Sequence, residues 1–132
     1  MKVLCLDVGD VWTGTALSDP LKIIAKPFQT YRTETLLKDL EQLFAKEKID
    51  TVVIGYPKTM RGTESDQTKK VVAQKEIIEQ TFPDKKYILF DERLSSKQAR
   101  TIQGSKASTH KQQEHCIAAA IVLQTYLQTL SY

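Results

Sequence analysis

The sequence predicts an α/β fold: a five-stranded mixed sheet, three antiparallel strands leading into parallel strands, with helices on both faces. Three observations predict it. Residues 2–31 contain three short strand-like runs separated by turn residues, the pattern of an antiparallel meander. From Leu36 onward, runs of helical period alternate with apolar runs of strand length, and such alternation requires crossover connections and therefore parallel strands. Finally, 132 residues without internal repeat or linker form a single domain, 1–132, so all the strands share one sheet.

Lys2 to Val8, rich in Val and Leu with Asp7 near its end, reads as a central strand. After a turn over Gly9 to Thr13, Gly14 to Ser18 is the second strand, closed by Asp19-Pro20. Pro27 to Tyr31 alternates as a third, with proline at its first position, where a missing donor is tolerated. Leu36, Leu37, Leu40, Leu43 and Phe44 then fall at helical spacing behind Thr33 as N-cap, in a helix ending near Lys48. Asp50 to Gly55 is a buried strand, followed by a ten-residue loop, Tyr56 to Ser65. A helix from Asp66 to Gln80, a strand from Tyr87 to Phe90 and a short helix capped by Ser95-Ser96 through Arg100 come next. A polar loop from Gly104 to His110 leads to a closing helix over Gln113 to Leu127.

A formal charge of +3 with 41% hydrophobic and 27% charged residues is the balance of an ordinary globular domain. The longest apolar run, Ile117 to Leu123, is far short of the roughly 20 residues that span a bilayer, and no signal segment opens the chain. No membrane association is expected. Cys5 and Cys116 lack metal-knuckle spacing, which suggests reduced thiols in a cytoplasmic protein.

In open sheets with parallel strands, ligands gather beyond the strands' carboxyl ends. Asp7 and the pair Asp91-Glu92 stand at such ends, and two strands delivering acids to one edge suggest an oxygen-rich site for a hard divalent cation. Asp7 could instead cap its turn by accepting from the amides of Gly9 and Asp10. His115 shares a helix face with Ala118, Ala119 and Val122, as a core histidine or as a ligand; Glu114 points roughly 100° away. Gly9 and Gly14 have the spacing of a phosphate loop, but no Lys-Ser/Thr pair follows and no helix opens there. Donors crowd three loops: Lys58, Arg61 and Thr63; Arg93 and Ser95; Lys106, His110 and Lys111. Such groups hold phosphate backbones, and Trp12 in the first turn is available to stack on a base.

Four motifs in order now resemble the YqgF (RuvX) family: Leu6-Asp7-Val8-Gly9 with Gly14 and Ser18-Asp19; Val53-Ile54-Gly55-Tyr56-Pro57 with Met60-Arg61-Gly62-Thr63; Asp91-Glu92-Arg93-Leu94-Ser95; and Ala118-Ala119 with Val122-Leu123-Gln124 and Tyr126-Leu127. The resemblance implies an RNase H-like fold related to the RuvC Holliday-junction resolvases, and a nuclease that processes the 5′ end of pre-16S ribosomal RNA or cuts junctions in the cytoplasm. It implies catalytic, metal-holding acids at Asp7 and at Glu92 or Asp91. The third acid of the family falls where this chain has His115, which becomes the third ligand. The first turn, Asp10-Val11-Trp12, also departs from the family's basic residues. The expected activity is metal-dependent phosphodiester cleavage with Mn²⁺ or Mg²⁺, acting on structured RNA or DNA junctions, with no oligomeric state implied. The rival expectation is a nucleic-acid-binding module of the same fold, catalytically impaired by the change at His115.

Overall fold

Three strands in a meander open the chain: β1 (Lys2–Val8), β2 (Trp12–Ser18) and β3 (Ala25–Arg32). The computed structural model describes residues 1–56, 66–91 and 111–130. Alternating elements follow the meander: α1 (Leu36–Lys46), β4 (Ile49–Tyr56), α2 (Asp66–Thr81), β5 (Lys86–Asp91) and α3 (Lys111–Thr129). The strands lie in the order β3-β2-β1-β4-β5. β1 is antiparallel to β2 and parallel to β4, and β4 is parallel to β5, so the predicted mixed sheet is the observed one. Tyr56, expected to open a loop, ends β4; the rest of that expected loop, residues 57–65, the short helix expected after Ser95 and the loop expected over Gly104 to His110 lie outside the described residues.

Strand alternation sorts the core into two layers. Leu4, Leu6, Val8, Val52 and Ile54 turn to one face and pack with Leu36, Leu40 and Leu43 of α1 and Val71 and Ile78 of α2. Val3, Cys5 and Val53 turn to the other and pack with Ala119, Val122, Leu123, Tyr126 and Leu127 of α3. Each large apolar side chain so removed from water contributes roughly 1.5–3 kcal/mol before entropy is charged against it.

The ends of elements depart from expectation for identifiable reasons. β2 begins at Trp12 because the Gly9 amide donates to the Trp12 carbonyl at 2.9 Å, which tightens the turn and starts the ladder early. Pro27 lies inside β3 and not at its start; β3 is an edge strand whose register with β2 shifts between Gly14 and Ala16, beside the Ala16–Pro27 pair, and edges and irregularities are where a sheet tolerates proline. Thr33 does not cap α1. It sits in a 3₁₀ turn, Thr33–Thr35, and its hydroxyl donates to the Gly9 carbonyl at 2.7 Å while lying 2.9 Å from the Thr13 hydroxyl.

Candidate active site

The carboxyl ends of β1, β4 and β5, the start of β2 and the end of β3 converge on one edge of the sheet. Asp7 is at that edge on the central strand. It follows Cys5 on the α3 face, is half-buried, and pairs across the ladder with Gly14. Among the described residues its carboxylate has no hydrogen bond or ion pair. The Gly9 amide, which a turn-capping Asp7 would have used, is spent on Trp12.

Two glycines bring His115 to this aspartate. A Cβ on Gly14 would meet the His115 carbonyl and stand 2.7 Å from the Cys116 amide nitrogen, so α3 crosses β2 backbone against backbone. A Cβ on Gly9 would lie 3.8 Å from Cε1 of the His115 imidazole and 2.7 Å from the Trp12 carbonyl. His115 therefore packs over both the ladder partner of Asp7 and the glycine two residues beyond it. It is half-buried, whereas Glu114 is exposed. The buried stripe of α3 runs through Cys116, Ala119, Leu123 and Leu127, with His115 at its margin, and the close approach expected of helix alanines is also made from the sheet side by Gly14.

Asp91 ends β5, opposite Tyr56. Ile88 and Phe90 pack in the α3 layer and Tyr87 in the other, so alternation sets Asp91 on the face opposite Asp7. Glu92, Lys58, Arg61, Thr63, Arg93, Ser95, Lys106 and His110 lie outside the described residues, and Lys111 opens α3. Among the described residues no three His, Cys, Asp or Glu side chains converge as a metal site. Asp7 brings to this edge a carboxylate without a described partner, and His115 brings an imidazole over the neighbouring glycines.

Trp12 sits at the same edge, and two cations that sequence reasoning missed accompany it. Arg32 is Trp12's ladder partner, and its guanidinium carbon lies 5.2 Å from the centre of the indole ring. Lys70, from α2, pairs with Asp10 at 3.1 Å, and Gln67 donates to the Val8 carbonyl at 3.2 Å. Extending the β2–β3 pairing by two residues would have found Arg32; nothing local in the sequence announces Lys70. The Ser18-Asp19 motif is structural. The Ser18 hydroxyl accepts from the Val3 amide at 2.8 Å, and the Ile24 and Ile23 amides hold the Asp19 carboxyl below the usual carboxylate range.

A carboxylate on the central strand of this 3-2-1-4-5 sheet, met by a helix laid across β1 and β2, defines an RNase H-like α/β protein of the RuvC type. Thermus thermophilus RuvC in complex with a Holliday junction substrate matches it with a TM-score of 0.61 at 12% identity, over 98% of this chain and 96% of that one. The chain belongs to the RuvX family: residues 1–129 match the family described as Holliday junction resolvase. Relatives from Rubrobacter xylanophilus (34% identity over 129 residues, 96% of this chain and 92% of the relative) and Flavobacterium johnsoniae (36% over 133 residues, 97% and 96%) carry the name "Putative pre-16S rRNA nuclease". The family is one of nucleases that hydrolyse phosphodiester bonds. No helix among the described residues is long and apolar enough to cross a membrane.

Proposed function

We propose that this protein is a divalent-metal-dependent endonuclease of the cytoplasm that processes the 5′ end of pre-16S ribosomal RNA. The observation that carries the reading is the packing of His115 over Gly14, the ladder partner of Asp7, and over Gly9, two residues beyond it. Asp7, Glu92 and His115 would hold the cation, which would neutralise charge at the scissile phosphate and acidify water. Alternation along β5 favours Glu92 over Asp91 as the second acid, because Asp91 falls on the opposite face from Asp7. Lys58, Arg61, Arg93, Lys106 and Lys111 would supply the cations for the phosphate backbone, with the hydroxyls of Thr63 and Ser95 and the ring of His110 as further donors. Half-burial of Asp7 leaves part of the residue accessible at the sheet edge.

The test is cleavage of a labelled precursor carrying the 5′ extension of 16S rRNA, beside a four-way DNA junction, with and without Mn²⁺. The wild type is expected to trim the precursor only with metal, and Asp7→Asn to lose at least about 100-fold, since even groups behind metal ligands cost 10 to 100. Near-wild-type cleavage by the variant removes Asp7 from the site. Tight binding without metal-dependent cleavage by the wild type would make the chain a binding module.

A further inference from the structure

We infer that Trp12 and Arg32 form a stacking platform for an unpaired nucleobase beside the scissile phosphate, so that the preferred substrate carries an unstacked nucleotide there. The inference rests on the nuclease reading above. The platform is made by strand register. Trp12 and Arg32 are ladder partners at the edge where β1 ends, and both belong to the face that carries Asp7 and receives α3. The 5.2 Å separation of guanidinium and ring is within the roughly 6 Å reach of a cation–π contact.

The arginine is held by a second contact besides the indole. Its Nε donates to the Glu34 carboxylate at 3.1 Å, which leaves the terminal nitrogens without a partner among the described residues. Its side chain is 55% exposed, so the guanidinium over the indole remains largely open to solvent. Bases stack on guanidinium planes as they do on aromatic rings, and the remaining N–H groups suit an adjoining phosphate.

The platform is also fixed relative to Asp7. The Thr33 amide donates to the Val11 carbonyl at 2.8 Å and the Thr33 hydroxyl to the Gly9 carbonyl, which ties the end of β3 to the turn that follows β1. That turn carries Asp10 and no cation, so Arg32 is the positive group the meander itself delivers to this edge. A paired base inside a duplex has both faces covered by its neighbours. Only an unpaired one can lend a face to Arg32 without first being unstacked, and that difference is the source of selectivity.

The experiment compares two labelled RNA duplexes, and their DNA counterparts, that differ only in one unpaired nucleotide. Binding is followed by anisotropy without added metal, and the fluorescence of Trp12, the only tryptophan of the chain, reports the platform directly. The wild type is expected to favour the unpaired form by about 10-fold, within the range for one base stacked on a side-chain platform. Arg32→Ala should bring that preference close to one. Arg32→Lys should lose it too while keeping the wild-type salt dependence, since it retains the charge and loses the plane. Trp12→Phe, which keeps a ring, should retain part of it.

Equal binding of both forms by the wild type, or full preference in Arg32→Ala, overturns the platform. If that happens while Asp7→Asn still abolishes cleavage, the nuclease reading stands without it. A wild type that neither binds nor cuts any of these nucleic acids overturns both.

Discussion

Gly14 lies beneath the carbonyl of His115 with no room for a side chain between them. The contact fixes how far α3 stands from β2, and with it how far the imidazole stands from the strand that carries Asp7. The spacing of the site is thus a backbone dimension.

Gly14→Ala should therefore be strongly destabilising, although glycine to alanine at an unstrained position normally stabilises by about 0.4–1 kcal/mol. The added methyl meets peptide atoms that have no rotamer to escape into, and overpacking of this kind costs roughly 1–3 kcal/mol or more. Thermal denaturation should show a melting temperature lower by several degrees, with cleavage falling further than stability because His115 is displaced. A variant as stable as wild type would mean that α3 can lift without penalty.

The two neighbouring acids should separate cleanly. Glu92→Gln should lose cleavage by about 100-fold or more, as expected for a metal-holding carboxylate. Asp91→Asn, on the Tyr87 face of β5, should stay within a few-fold of wild type. The reverse ranking in a side-by-side rate assay would assign the ligand to Asp91.

At His115 the prediction concerns the choice of metal. Imidazole nitrogen suits Mn²⁺ better than Mg²⁺, which prefers oxygen and sheds water reluctantly. His115→Asp should lower the ratio of Mn²⁺-supported to Mg²⁺-supported rates. An unchanged ratio would make the imidazole a packing group over Gly9, and the exposed Glu114 would be the next residue to substitute.

Tyr87 should shape stability at alkaline pH. Partial burial, with Asp84 and Glu79 nearby, pushes its hydroxyl up to about 12, and that hydroxyl donates to the Phe82 carbonyl at 2.6 Å. The unfolded side chain ionises near its ordinary value of about 10, so between these two values the folded chain keeps a proton that the unfolded chain has lost. Its contribution is complete below about pH 10 and declines as pH rises toward 12. Tyr87→Phe should cost about 1 kcal/mol at neutral pH and show a shallower alkaline decline in urea titrations.

Much of this was legible in the residues. The Val and Leu run before Asp7 and the β-branched run of β4 reflect strands buried on both faces, and the helical spacing of Leu36, Leu40 and Leu43 reflects one buried helix face; each is a local pattern. What was illegible depends on partners distant in sequence. Thr33 has the chemistry of a cap, but a carbonyl of the β1–β2 turn claims its hydroxyl. Gly14 reads only as the start of a strand, and the arrival of α3 makes it a packing glycine. The face of Asp91 depends on where β5 begins to alternate, and the sequence blurred that boundary by one residue at each end.

The docking of α3 on β1 and β2 also has a consequence in time. The β1–β2–β3 meander joins neighbours in sequence and can close early during synthesis, whereas His115 reaches Asp7 only after the parallel strands and α3 have been made. Until then Val3, Cys5 and Val53 lack their cover, and the nascent chain presents a bare apolar sheet face. Burial of that face and the arrival of His115 over Gly14 are the same event, so a half-made molecule exposes an apolar face before His115 is in place.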